Sequence, residues 1–176
     1  IWIAASVETG VYLMARLVVV ILLAAMLLSS ELVAETRWPQ FRGPSGQGIA
    51  EVEQAPLRWS ETEHLLWKVG LPGRGWSSPV VAGNRAWVTT ALETEATPEE
   101  VAATIEASDL PIAQELAVVR AISLRLLEID LTTGVVAAEV PLFDVEQPET
   151  IHSLNSYASP TPVLATGNVY CDFGAF

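Results

Sequence analysis

The chain has 176 residues, a length that suits one domain of ordinary size, and a formal net charge of -12. So acidic a composition excludes a nucleic-acid surface, which needs a basic patch to neutralise phosphates. The single cysteine, Cys171, excludes an internal disulfide and a thiolate metal cluster, and is interpreted as a small apolar strand residue. We interpret the excess acid as a solvated surface, with an acid-lined cation site as the alternative.

The N-terminal segment has the pattern of a secretory signal peptide. Arg16 precedes an uninterrupted apolar run from Leu17 to Leu28, and the small residue Ala34 follows. The run is short for a membrane span, which needs about 20 apolar residues. The pattern therefore predicts a signal helix over 14–34 and export to the periplasm or out of the cell. The alternative is an uncleaved anchor, which is the one membrane contact we expect.

Both ends of the chain indicate an incomplete protein. Residues 1–13 precede Met14, the expected start, and are interpreted as an upstream or mistranslated segment. Phe176 follows directly on a strand pattern. We therefore expect an N-terminal fragment.

Residues 35–64 have the composition of an extended arm. Two prolines and three glycines lie between Trp38 and Gly48, which excludes a regular helix or a central strand. Trp38 and Phe41 are expected to pin this arm as aromatic anchors. The glycines do not predict a phosphate-binding loop, since no strand, helix or lysine–Ser/Thr pair accompanies them.

Short β patterns begin after the arm. Leu65–Leu71 predicts a strand, and Trp76–Ala91 predicts a hairpin that turns at Gly83-Asn84. A weaker copy of this hairpin occupies Tyr157–Phe173 and turns at Thr166-Gly167. Such an internal repeat constrains the architecture before any single motif is considered.

A helical insertion is predicted at residues 92–118. Thr97, Pro98 and Glu100 form the pattern of a capping box with proline at the first helical position. Val101 and Ile105 then share one helical face. A second short helix is expected from Leu110 to about Ala117.

Strand patterns resume near Val119 and complete a group of four. A doubled leucine at 126-127 switches the apolar face within the third strand. Four antiparallel strands, a connector and a restart of the first strand are typical of a β-propeller blade. The sequence therefore predicts an all-β fold, a partial β-propeller of about one and a half four-stranded blades, with a helical insertion and an N-terminal signal helix. The four predicted strands are Ser78–Val81, Ala86–Thr90, Ile122–Asp130 and Val135–Val140.

These residues resemble the pyrroloquinoline-quinone-like β-propeller repeat family. The similar features are Ser78-Pro79-Val80-Val81 before a glycine, the stretch LLEIDLTTGVV at 126–136, and the arm opening WPQFRGP at 38–44. The resemblance covers most of residues 37–176 and implies that 65–176 form an incomplete propeller. It also implies that the strand at Leu65–Leu71 belongs to the last blade and closes the ring.

The resemblance leaves two functions open, because the family contains both enzymes and non-catalytic modules. The leading hypothesis is an exported, non-catalytic binding or scaffold module with a protein or carbohydrate partner and no cofactor. The alternative is a quinoprotein oxidoreductase, a pyrroloquinoline-quinone-dependent alcohol or sugar dehydrogenase that uses quinone and calcium. The family enzymes commonly carry adjacent cysteines, which this sequence lacks, and their catalytic residues would then lie in missing blades. We assign no catalytic residue and no metal ligand.

Five residues are candidates for a ligand or partner surface facing the central channel, since loops that enter inner strands of a propeller lie there. For Trp76, packing between blades is the competing interpretation. For His152, beside Ser153, a hydrogen-bonded loop histidine is favoured over a catalytic base. The candidates are Arg74, Trp76, His152, Asn155 and Tyr157.

Overall fold

The computed structural model describes residues 37–50, 52 and 55–174, and over these residues the fold is mostly β, with antiparallel sheets and one α-helix. The described part of the chain contains no helix long and apolar enough to cross a membrane. The predicted signal helix and the upstream segment lie outside the described residues. The elements are β1 (Arg37–Trp38), β2 (Val80–Ala82), β3 (Arg85–Glu95), α1 (Pro98–Ala107), a short 3₁₀ helix (Ala113–Glu115), β4 (Leu116–Ala117), β5 (Val119–Asp130), β6 (Val136–Glu146), β7 (Ile151–His152), β8 (Val163–Ala165) and β9 (Asn168–Tyr170).

The main sheet contains five strands in the order β1-β2-β3-β5-β6, each antiparallel to its neighbours. The four predicted strands are confirmed as β2, β3, β5 and β6, with β3, β5 and β6 longer than expected. Residues 92–95, assigned to the insertion from sequence, continue β3 instead. Two short antiparallel pairs, β4–β7 and β8–β9, complete the described β structure.

The central strands bury apolar side chains on both faces of the sheet. Val88 lies opposite Leu127, and Ala91 lies opposite Leu124. Since residues three apart in a strand point to opposite faces, the two pairs belong to different small cores. The switch predicted from the doubled leucine is therefore confirmed. One core contains Ala86, Val88, Leu127 and Ile129, and the other contains Ala91, Ile122, Leu124, Tyr157 and Ala158.

The strand predicted at Leu65–Leu71 is wrong, because this segment has no strand pairing in the structure. Trp67 explains what the segment does instead. Its indole Nε1 donates a hydrogen bond to the Leu131 carbonyl at 2.7 Å, and its ring lies over Gly134. The segment thus packs through one aromatic side chain on a face of the sheet, and the edge beside β2 is occupied by β1 from the arm.

The turn between β5 and β6 is organised by Asp130. Its Oδ1 accepts hydrogen bonds from the backbone N–H groups of Thr132 and Thr133, both at 3.0 Å, and the Gly134 N–H donates to its carbonyl at 2.7 Å. The backbone hydrogen bond from Thr133 is the main cause that lowers the pKa of Asp130. This is the physical basis of the Asp–x–x–Thr–Gly pattern seen in the sequence.

The helical insertion differs in part from its prediction. The capping box is confirmed, since Thr97 and Glu100 exchange side-chain and backbone hydrogen bonds at the start of α1. The second helix predicted from Leu110 to Ala117 is wrong, because only Ala113–Glu115 form a 3₁₀ turn and β4 follows at once. Strand β4 forms because its backbone pairs with β7, a partner that lies far along the chain.

Candidate functional site

Two segments that are distant in sequence run side by side next to β3. The backbone N–H groups of Trp76 and Ser77 both donate to the Ala158 carbonyl at 3.1 Å. Gly75 allows this approach, because a Cβ there would lie 2.7 Å from the Thr89 carbonyl and 3.4 Å from that of Ala158. The result is one surface, here called the loop surface, formed by residues 74–77 and 152–159.

Arg74 connects the two segments through its side chain. Its guanidinium donates to the Ser153 carbonyl, while its backbone pairs with Ala91 through two hydrogen bonds of 2.9 Å. A guanidinium has five donor groups, so this contact leaves donors for a ligand. Arg74 is thereby positioned by backbone and side chain together.

His152 has both ring nitrogens engaged. Its Nδ1 accepts a hydrogen bond from the Leu154 backbone N–H at 3.1 Å, and its Nε2 lies 2.8 Å from a carboxylate oxygen of Glu115. Because a backbone N–H can only donate, Nδ1 is the acceptor and the neutral ring carries its proton on Nε2, pointing at Glu115. This ring orders a loop and does not activate the neighbouring hydroxyl of Ser153. Glu115 was not singled out from sequence, because it comes from the insertion, 37 residues away.

Asn155 closes the loop after β7. Its backbone N–H donates to the His152 carbonyl at 2.7 Å, and its Oδ1 accepts from the Ser159 hydroxyl at 2.6 Å. The same hydroxyl lies 2.8 Å from the Ser156 carbonyl and 3.1 Å from the Ser156 hydroxyl. These bonds fix the loop conformation, so its exposed polar groups are held in place before any ligand arrives.

Trp76 differs from two other tryptophans of the described chain. Trp67 and Trp87 each donate a hydrogen bond through Nε1, to the Leu131 carbonyl and the Glu128 carboxylate respectively. Trp76 is 61% exposed. Its indole face is therefore accessible for stacking on a ligand or for packing against another surface.

Tyr157 lies inside the core, away from the exposed part of the loop surface. It is 4% exposed, and its hydroxyl donates to the Glu149 carbonyl at 2.8 Å. Burial raises the pKa of Tyr157 to about 12, with a smaller contribution from the negative charge of Glu93. Tyr157 thus supports the loop from beneath.

The arrangement suits recognition of a polar ligand. Contacts of Arg74 with Ser153 and of Trp76 with Ala158 hold the two segments together, and the loop surface so formed carries a cation, an aromatic face and the amide of Asn155. Among residues 152–159, no hydroxyl is hydrogen-bonded to a histidine side chain. Over residues 37–50, 52 and 55–174 no group of three or more His, Cys, Asp or Glu side chains is close enough to hold a metal ion.

Comparisons with known proteins do not extend this description. Neither a protein-family model, nor a curated protein, nor a solved structure matches the chain.

Proposed function

We propose that this chain is an exported, non-catalytic binding module whose main sheet is one blade of a β-propeller of the pyrroloquinoline-quinone-like repeat family. The order β2-β3-β5-β6 supports the proposal, because consecutive antiparallel strands are the plan of a blade. The β8–β9 hairpin supports it too, since it repeats the register of β2–β3 around a two-residue turn. In this proposal β8 begins the next blade.

The loop surface is the observation that carries the binding function. Its cation, its exposed indole and its fixed polar groups are the kinds of groups that recognise a carbohydrate or a polar protein segment. The hydrogen bonds of His152 and Ser159 serve loop structure, which favours binding over hydrolysis. The competing function is a quinoprotein oxidoreductase.

The first experiment separates these two functions. The full-length protein, with every blade that belongs to it, is titrated with pyrroloquinoline quinone and calcium, and dye-linked alcohol oxidation is measured in parallel. We expect no quinone binding and no turnover. Stoichiometric quinone binding with turnover would overturn the proposal in favour of the oxidoreductase.

A second experiment tests the loop surface with carbohydrate probes. Neutral and uronic-acid oligosaccharides are titrated into the full chain and into R74A and W76A. The matched controls are R58A and W59A, which change the same residue types at exposed positions of the arm. We expect about tenfold weaker binding for the loop-surface variants, a loss typical of one good contact. Equal losses in the control pair would place the binding elsewhere.

Export is tested by sequencing the N-terminus of the mature protein. We expect it to begin after Ala34, in line with the signal pattern of the sequence. A mature chain that still begins near Met14 would indicate an uncleaved anchor.

A further inference from the structure

The connection between β3 and β5 has a charge distribution unlike that of the rest of the chain. Residues 96–118 contain five acidic side chains and no basic one, although the whole chain has nine lysines and arginines. The acidic residues are Glu99, Glu100, Glu106, Asp109 and Glu115. This segment is therefore a concentrated source of negative potential on a folded scaffold.

Helix α1 within this segment is well formed but only partly packed. Its capping box and its proline at the start stabilise the first turn, but none of its ten residues is fully buried. Helices of this length are marginal alone and normally gain stability by burying an apolar face. Val101 and Ile105 on that face are half-buried, so part of the apolar face stays accessible to a partner.

One row of α1 is already used to hold the helix against the sheet. Glu100 forms an ion pair of 3.0 Å with Arg120 of β5, and the two line a small groove with Thr104. The backbone hydrogen bond from Thr97 and the contact with Arg120 lower the pKa of Glu100. The carboxylate of Glu100 is therefore stabilised in its charged form by these partners. The Glu100–Thr104 row thus faces β5.

The adjacent row lines an open groove of about 700 Å³. Val101 and Ile105, one turn apart, form its apolar wall with Ala96, and Glu106 lies at its border. We call this feature the insertion groove. Just beyond it, Leu110 and Ile112 are 54% and 42% exposed, so apolar surface continues along the segment.

We propose that the insertion groove binds a basic amphipathic segment of a partner protein. The half-buried row of Val101 and Ile105 supplies contact area, and Glu106 at its border attracts lysine and arginine together with the net negative charge of the segment. A second copy of this chain brings the same acidic border and is repelled, as are nucleic acid and anionic lipid. The proposal needs neither the propeller nor the loop surface, so it can fail or succeed independently of them.

The probe is a synthetic helical peptide of about 18 leucine and lysine residues with one apolar face. A scrambled peptide of the same composition is the control for non-specific charge attraction. Binding to the full chain is measured by fluorescence anisotropy at about 20 mM and about 300 mM salt. We expect the amphipathic peptide to bind at least tenfold more tightly than the scrambled one, and the affinity to fall with salt.

Two pairs of variants locate the binding. V101Q/I105Q replaces the apolar wall with glutamine, a good helix former, and its control is L57Q, which changes a leucine that is 93% exposed in the arm. E99K/E106K reverses the charge of two glutamates of α1, of which Glu106 lines the groove, and its control is E61K/E63K in the arm. Since α1 buries no residue fully, these variants are expected to fold, and circular dichroism checks this.

We expect each groove variant to weaken peptide binding about tenfold and each arm variant to leave it unchanged. The proposal is overturned if the peptide does not bind, if both peptides bind equally, or if groove and arm variants behave alike. Sedimentation adds a further criterion. Self-association of the chain that V101Q/I105Q abolishes would assign the groove to a second copy and overturn the proposal as well.

Discussion

The β2–β3 hairpin and the β8–β9 hairpin share a register but have different surroundings. Val80 lies opposite Trp87 in the first, as Val163 lies opposite Tyr170 in the second. Val80 is fully buried, whereas Val163 is 39% exposed. The first hairpin has β1 and β5 as further neighbours, and the second forms a separate two-stranded sheet.

The comparison separates local from tertiary causes of structure. Both hairpins form because a two-residue turn containing glycine joins two short β patterns. Gly83 has a φ of 56° in the first turn, and Thr166 and Gly167 have φ values of 50° and 79° in the second. Both turns thus require a residue in the left-handed region of φ/ψ space. The burial of the hairpin side chains depends instead on which other strands pack beside each hairpin.

The largest expected effect compares two glycines with the same backbone requirement. Gly134 and Gly167 have φ values of 72° and 79°, but a Cβ at Gly134 would lie 2.5 Å from the Trp67 ring and one at Gly167 meets nothing within 4 Å. G134A should cost about 3 kcal/mol of unfolding free energy, from φ strain plus the clash, and G167A about 1 kcal/mol. Urea unfolding followed by tryptophan fluorescence measures both.

A double variant tests the cause of that difference. In a W67A background the clash is absent, so G134A should then cost about as much as G167A, roughly 1 kcal/mol. If G134A and G167A lost the same unfolding free energy in the natural background, the Trp67 ring would move aside at no cost in stability. The packing of Trp67 on Gly134 would then not stabilise the fold.

The second effect compares the equivalent valines. V80A removes two methyl groups from a fully buried position and should cost about 2 kcal/mol, because both the transfer energy and the cavity contribute. V163A should cost at most about 0.5 kcal/mol, as expected of a partly exposed site. The difference in unfolding free energy between V80A and V163A is measured from the urea midpoints, provided that the denaturant slope (m-value) is unchanged. Similar losses would mean that β8–β9 is buried as deeply as β2–β3.

The last comparison concerns pH and the two tyrosines near the second hairpin. The folded pKa of Tyr157 is about 12, above its usual value of about 10, so the stability gained from its neutral form is complete below about pH 10. That stability is lost as the pH rises from about 10 to about 12, because the unfolded state releases the proton first. Y157F should therefore show a shallower fall in urea midpoint over this range than the natural protein.

Y170F is the matched control, since Tyr170 is 54% exposed. We expect it to keep the natural pH dependence. The comparison uses slopes rather than absolute stabilities, because Y157F also loses the hydrogen bond to the Glu149 carbonyl, worth about 1 kcal/mol at any pH. A fall in midpoint that is the same for both variants would contradict the buried position of Tyr157.

Much of the local structure could be predicted from the sequence. Strands β2, β3, β5 and β6, the capping box of α1 and the turn at Asp130 depend on residues close together in the chain. The two segments that carry four of the five candidate ligand residues lie side by side, as the contacts of Arg74 with Ser153 and of Trp76 with Ala158 show. The predicted identity of that surface as a propeller channel, and the ligand it binds, stay predictions.

The missed features depend on partners that are distant in sequence. Leu65–Leu71 has a strand composition, but Trp67 finds a better partner in the Leu131 carbonyl, 64 residues away. Leu116 and Ala117 pair with β7 instead of extending a helix. The position of Glu115 beside His152 follows from that pairing and had no local signal.

The sequence by itself determined the strand pattern, the turns and the acidic insertion, because periodicity, glycine placement and capping act over a few residues. Only the tertiary structure decided which strand lies at the edge beside β2, which face Trp67 covers and that Tyr157 is buried. It also left the apolar row of Val101 and Ile105 only half-buried. These outcomes depend on which segments, far apart in sequence, pack against one another. The residue pattern of a single segment carries no information about such partners.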